Sequence, residues 1–143
     1  YDGRYAGVYR ERQVAAAEAL YGAAGIARDD KAGRQAQFMR NYAFFGAPHV
    51  AFFFLPPGFG IREAADLGMC AQTFMLALTS MGYASCPQTA LSFHPDRVRA
   101  EFDIEPGAQL LFGVSFGHAD PAAAVNAARV GRDVAACIRI RED

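Results

Sequence analysis

Residues 61–81, IREAADLGMCAQTFMLALTSM, constrain the fold of this chain more than any other stretch. Read at 3.6 residues per turn, Ala64, Gly68 and Ala71 share one side and are all small. Asp66, Thr73 and Ser80 fall on a second line spaced by seven. What remains is mostly apolar, with Leu67, Met69, Phe74, Met75, Leu76 and Leu78 distributed around the axis. A helix with so little polar circumference is expected at the centre of a domain. Asp66, Gln72, Thr73, Thr79 and Ser80 would be costly in lipid, so the stretch reads as a buried helix and not a membrane span. In a chain of 143 residues, its small-residue face is expected to pack against the same face of a second copy.

The elements around that helix follow from local chemistry. Residues 5–24 are rich in Ala, Glu, Arg and Leu and read as a helix that stops near Gly25. Asp29 or Asp30 can cap a second helix running to about Tyr42. The run HVAFFFL at 49–55 lies between Pro48 and Pro56-Pro57-Gly58, which predicts a short strand buried on both faces. Gly82 ends the central helix, and 83–87 is a short extended piece. Pro95 opens a helix to about Phe102, and Glu105-Pro106-Gly107 is a turn. AQLLFGVSF at 108–116 is a second buried strand, and 134–140 alternates loosely as an edge strand or arm. The order predicts an α+β domain, a small sheet wrapped by helices, occupying 1–143 as one unit.

Composition removes several classes of function. The net charge is −1, from 14 basic and 15 acidic residues, so no electrostatic case exists for nucleic acid or an anionic membrane as partner. Hydrophobic residues make up 52%, high for a monomer of this size, which again points to a covered face. Cys70, Cys86 and Cys137 form no CxxC pair and lie among small or apolar residues. They read as buried, inert thiols in a reducing cytoplasmic setting. His49, His94 and His118 lack ligand spacing, so no metal site is expected. Gly58-Phe59-Gly60 precedes a helix but lacks the rest of a phosphate loop and reads as a turn. There is no Gly-x-Ser-x-Gly elbow, and no catalytic side chain can be named.

Two features stand out from this background. Ser85-Cys86-Pro87-Gln88-Thr89-Ala90 leaves the central helix directly, and the backbone amides after Pro87 can face a cleft; an ordinary helix-to-strand connection is the open alternative. Asn126-x-x-Arg129-x-x-Arg132 places two arginines on one side of a helical turn, where they can grip one phosphate or simply be solvated.

Taken in order, these pieces resemble the nitroreductase family of FMN-dependent enzymes. The resemblance runs through Leu20-Tyr21-Gly22, Gly25-Ile26-Ala27-Arg28-Asp29-Asp30, Arg34 and Asn41-Tyr42-Ala43-Phe44-Phe45-Gly46-Ala47-Pro48. It continues through Asp66-Leu67-Gly68-Met69, Gln72, Met75-Leu76-Ala77 and Gly82-Tyr83-Ala84-Ser85-Cys86-Pro87-Gln88. It closes on Gly117-His118-Ala119-Asp120-Pro121 and Val125-Asn126-x-x-Arg129-x-x-Arg132. Each string is weak alone; the ordered set is specific.

The resemblance implies a mixed sheet, an intertwined homodimer built on the central helix, and FMN between subunits. It implies two-electron transfer from NAD(P)H through flavin N5 to a nitroaromatic or quinone-like acceptor. By the same likeness Pro87, Gln88, Thr89 and Ala90 lie along the flavin ring edge, with the amide of Thr89 or Ala90 approaching N5. Arg132, and beside it Arg129, would hold the FMN phosphate. Some members carry an acidic residue and Gly where this chain has Thr89 and Ala90. The family's arginine-rich N-terminal string is absent here, so the chain, which starts at Tyr1 in helical sequence, is expected to be the C-terminal two thirds of such a protein. A flavin-free dimerising module, or a member with other flavin chemistry such as dehalogenation or flavin breakdown, is the alternative.

Overall fold

The computed structural model describes residues 5–128, 130, 131, 138, 140 and 141. Two compact units emerge, Tyr1–Arg34 with Asp120–Asp143, and Gln35–Ala119. In the first unit, α1 (Gly7–Ala23) ends where Gly25 takes φ +69°, a left-handed conformation that a side chain would resist. The amide of Ile26 donates to Tyr21 O at 2.9 Å and that of Gly25 to Gly22 O at 3.0 Å, closing the last carbonyls of the helix. Asp30 is the cap of α2 (Lys31–Met39), of which residues 31–34 belong to this unit and 35–39 to the other; its Oδ1 accepts the Gly33 amide at 2.8 Å. Asp120 organises the turn at the other end of the sequence: its Oδ1 accepts the Ala122 amide at 2.9 Å, and its carbonyl accepts Asn126 Nδ2 at 2.8 Å. Arg129, Arg132, Cys137 and most of the expected arm at 134–140 lie outside the described residues.

The second unit is built on three strands, β1 (His49–Leu55), β2 (Ala84–Gln88) and β3 (Gln109–Gly117), in the order β1-β3-β2. Both pairings are antiparallel. Phe53 faces Phe112 but Phe54 faces Leu110, so Leu111 is the extra residue of a bulge. Pro87 is tolerated because β2 lies at the sheet edge, where a missing N–H costs no ladder bond. The helices are α3 (Ile61–Ser80) and α4 (Pro95–Glu101), with single-turn segments at Arg40–Gly46 and Thr89–Phe93.

The sheet has two different faces. On one, Phe74 of α3 meets Phe53 at 6.0 Å and Phe116 at 5.5 Å, both edge-on, and Phe53 stacks on Phe112 at 5.1 Å. Such pairs add about 0.5–1.5 kcal/mol each beyond their buried area. On the other, Phe52 packs against Phe44 and Phe102, and Gly113 lets Leu91 lie directly on the strand. Val114 at the centre of β3 is fully buried.

β1 differs from expectation. Its faces are both covered, yet Leu55 alone among its seven residues is buried and the rest are half-buried or exposed, because β1 is an edge of the described sheet. The central helix differs in the same way. α3 buries Ala71 and Leu78 toward the sheet, while Met69 and Leu76 are 63% and 60% exposed on the opposite side. Along the small-residue line, Ala71 is buried, Ala64 half-buried and Gly68 exposed. Among the described residues, no helix is long and apolar enough to cross a membrane.

Candidate functional site

The segment singled out by sequence is delivered by a continuous run of local structure. α3 stops because Gly82 adopts φ +82°. Its amide donates to Thr79 O at 3.0 Å, and the Tyr83 amide donates to Leu78 O at 2.9 Å. The chain reverses there and enters β2, which pairs with β3 so that Cys86 faces Ser115 and Gln88 faces Gly113. Immediately after, Thr89–Phe93 makes one tight turn, held by Ser92 Oγ donating to Thr89 O at 2.8 Å. Pro87, Gln88, Thr89 and Ala90 thus form one continuous ledge at the sheet edge. Pro87 and Thr89 are exposed, and Ala90 and Leu91 are buried against the sheet.

Gln88 turns inward. It is 3% exposed. Its Oε1 accepts the hydroxyl of Ser115. Its Nε2 donates to Asn41 Oδ1 at 3.1 Å and to Asn41 O at 3.3 Å. Asn41 Nδ2 in turn donates to Phe38 O at 2.8 Å. Neither Asn41 nor Ser115 stands out as a site residue in the sequence. A signal for Ser115 exists nonetheless, since it is the single hydroxyl in the apolar run 108–116.

Next to Asn41 the backbone is strained. Phe44 and Phe45 both adopt left-handed conformations, with φ 52° and 53°, and Gly46 follows at φ 82°. For a residue with a Cβ this costs about 1–2 kcal/mol each. The turn is held by the Ala47 amide donating to Phe44 O at 3.0 Å, by the Phe44 ring edge on Phe52, and by Arg40 over the Phe45 ring at 5.4 Å. Strain of this kind persists only where surrounding contacts over-determine it.

The cysteines depart from expectation. Cys70, on α3 beside the end of β1, and Cys86, on the edge strand β2, are exposed and are not core residues. Even so, partial burial pushes the Cys86 thiol up, which keeps Sγ protonated at neutral pH and makes it a poor nucleophile. A shallow hollow of about 290 Å³ lies between the end of β1 and the start of α3, lined by Phe54, Pro56, Phe59, Leu67 and Cys70. Among the described residues no group of three or more His, Cys, Asp or Glu side chains could hold a metal ion.

Comparison with known proteins decides the family. The model of the nitroreductase family matches residues 6–118. The chain belongs to the nitroreductase family. Nitroreductase NfnB of Mycolicibacterium smegmatis is 48% identical over 131 residues, covering 92% of this chain and 56% of that protein. A 4-nitrobenzoate reductase of Pseudomonas putida is 33% identical over 127 residues, covering 89% of this chain and 56% of that one. This nitroreductase-family chain thus spans about half the length of the curated relatives it matches. Among solved structures, the FMN-dependent NfnB from Mycobacterium smegmatis in complex with NADPH aligns with TM-score 0.92 and 45% identity, over 99% of this chain and 64% of that one. The FMN- and NADPH-dependent NfnB from sphigopyxis sp. strain HMH aligns with TM-score 0.95 and 39% identity, over 100% of this chain and 66% of that one.

Proposed function

We propose that this chain is part of an FMN-dependent oxidoreductase that takes two electrons from NAD(P)H and passes them to a nitroaromatic or quinone-like acceptor. The observation that carries the reading is the alignment of essentially the whole chain, at 39–45% identity, with enzymes that are FMN-dependent and have NADPH as partner. FMN would supply the hydride and electron chemistry when bound. The protein's part is to hold and orient. The ledge at Pro87, Thr89 and Ala90 suits a flat ring edge, since it offers backbone with only small side chains and is backed by β3 through Gln88 and Leu91. An N–H at Thr89 or Ala90 fixed in direction would stabilise an electron-rich ring without reorganising. Arg132 and Arg129 are assigned to the phosphate on the strength of the sequence resemblance.

The exposed Met69 and Leu76, together on the outer side of α3, support a homodimer in which the second copy covers this side. The single-domain reading of 1–143, with a preceding segment completing the flavin pocket, belongs to the same proposal. So does a cytoplasmic location. To test it, the purified chain is mixed with FMN, freed of excess, and titrated anaerobically with NADPH. Retained flavin absorbance that bleaches with NADPH and returns with 4-nitrobenzoate or a quinone is the expected result. A folded dimer that retains no flavin would leave a dimerising module instead. Arg132→Ala should weaken FMN binding by about 1.5–3 kcal/mol, the range for one charge-assisted contact, and unchanged affinity counts against its role.

A further inference from the structure

Among the described residues, buried polar side chains are few: Gln37, Gln88 and Ser115. Two of those three bond to each other, on the sheet face away from α3. The amide of Gln88 has one workable orientation. Its oxygen meets a hydroxyl that donates, and its nitrogen meets two oxygens of Asn41 that accept. Turned over, it would point its oxygen at both acceptors. Asn41 is likewise fixed, because its nitrogen is committed to Phe38 O. The result is one chain of hydrogen bonds that runs from β3 through the last residue of β2 to the end of α2.

The placement of this chain is informative. Gln88 immediately precedes the Thr89–Phe93 turn, and Asn41 stands three residues before the two left-handed phenylalanines. Both segments are irregular backbone, with no long ladder to fix them. A Leu or Met at 88 would suffice to fill the space, whereas an amide joins two otherwise separate pieces of chain. Gly113 adds to the fixing, since its missing side chain lets Leu91 seat on β3.

We infer that Gln88 is a positioning residue, whose side chain does not contact the cofactor but locks the Thr89–Phe93 turn and the Asn41–Gly46 turn into one rigid unit and thereby sets the direction of the backbone at Thr89 and Ala90. The inference rests on the reading that this ledge faces the flavin. It replaces a ligand role for the Gln88 side chain with a structural tie that reaches the reacting ring through the backbone.

The test uses Gln88→Met, which keeps length and removes polarity, and Ser115→Ala, which removes one bond of the chain. Hydrogen–deuterium exchange on the flavin-free chain comes first. In Gln88→Met, peptides covering 41–47 and 89–93 should both exchange about tenfold faster, the factor that goes with losing one buried hydrogen bond, while α3 peptides stay unchanged. Ser115→Ala should move both in the same direction by less. Faster exchange at 89–93 with 41–47 unchanged overturns the tie. The second arm measures the flavin midpoint potential of the FMN-loaded parent and variants. A shifted potential in Gln88→Met is expected; an unchanged potential together with loosened exchange overturns the positioning role. If the parent takes up no flavin, the proposed function fails, and the exchange result alone decides whether the two turns are coupled. If Gln88→Met does not fold, Ser115→Ala carries both arms.

Discussion

Gly113→Ala is the most discriminating single change in this fold. The added Cβ would stand 2.6 Å from Leu91 Cδ1 and 3.3 Å from Phe52 Cδ1, the first nearly an ångström short of ordinary contact. Gly113 does not sit at positive φ, so the backbone itself accepts alanine. The cost is therefore steric. Overpacking a closed site costs about 1–3 kcal/mol, and the lower entropy of the unfolded alanine chain returns roughly 0.4–1 kcal/mol. A net loss of about 1–2 kcal/mol should appear as a lower urea midpoint at unchanged slope. Leu91 is buried and cannot swing out without dragging Thr89–Phe93 off the sheet. The assay is a double-mutant cycle with Leu91→Ala, which removes the clashing methyl. The two changes should cost less together than apart, with a coupling of about 1 kcal/mol or more. Additive losses, or a Gly113→Ala variant as stable as the parent, would refute the idea that this glycine exists to seat the turn.

The exposed side of α3 yields a pair of opposed expectations. Gly68 has open space around its missing side chain, so Gly68→Ala should raise the stability of the isolated chain by about 0.5–1 kcal/mol, yet weaken self-association if a partner helix approaches there; sedimentation equilibrium beside urea melts separates the effects. Leu76→Lys should shift the chain toward monomer with little change in monomer stability, since Leu76 is already largely exposed. Glu63 Oε2 accepts the Gly60 amide at 2.9 Å at the start of α3, and this backbone bond, with that of its own amide, holds the carboxyl below its usual range. A depressed folded-state pKa means the contribution is complete above the unfolded carboxylate range and fades as pH falls through the folded value. The stability difference between parent and Glu63→Ala should therefore shrink on acidification, and a difference that grew instead would contradict the capping role.

Much of this architecture was legible in the sequence because punctuation residues are local. Gly25, Gly82, Asp30, Pro48 and Pro95 each act through their own backbone or the next turn, and every one sits where an element begins or ends. The burial of β1 and α3 was less legible. Their patterns report how much apolar surface must be covered, but not by which chain, and here the described residues leave one side of α3 open. The candidate site was legible as a segment and not as a mechanism. Pro87-Gln88-Thr89-Ala90 can be picked out by its position after the helix, but whether Gln88 points out or in depends on Ser115, 27 residues away, and Asn41, 47 residues away. No local pattern encodes such a meeting. The left-handed pair at Phe44 and Phe45 is hidden for the same reason, because phenylalanine gives no hint of positive φ.

That hidden strain makes a prediction whose sign is opposite to common experience. At an ordinary position, glycine is less stable than alanine by about 0.5–1 kcal/mol, since it loses more entropy on folding. At φ 53° the order should invert. Phe45→Ala and Phe45→Gly lose the same ring and the same Arg40 contact, but alanine keeps the left-handed penalty of about 1–2 kcal/mol and glycine does not. Phe45→Gly should thus be the more stable of the two, by up to about 1 kcal/mol after the entropy term is subtracted. The same comparison in a Gln88→Met background tests whether the turn is held from outside. With Asn41 released, the segment can relax toward ordinary backbone angles, and the advantage of glycine should diminish. Alanine as stable as glycine in the parent would mean that the turn is not strained, and an undiminished advantage in the double variant would mean that its conformation is fixed by Pro48, Phe52 and the local hydrogen bond without help from Gln88.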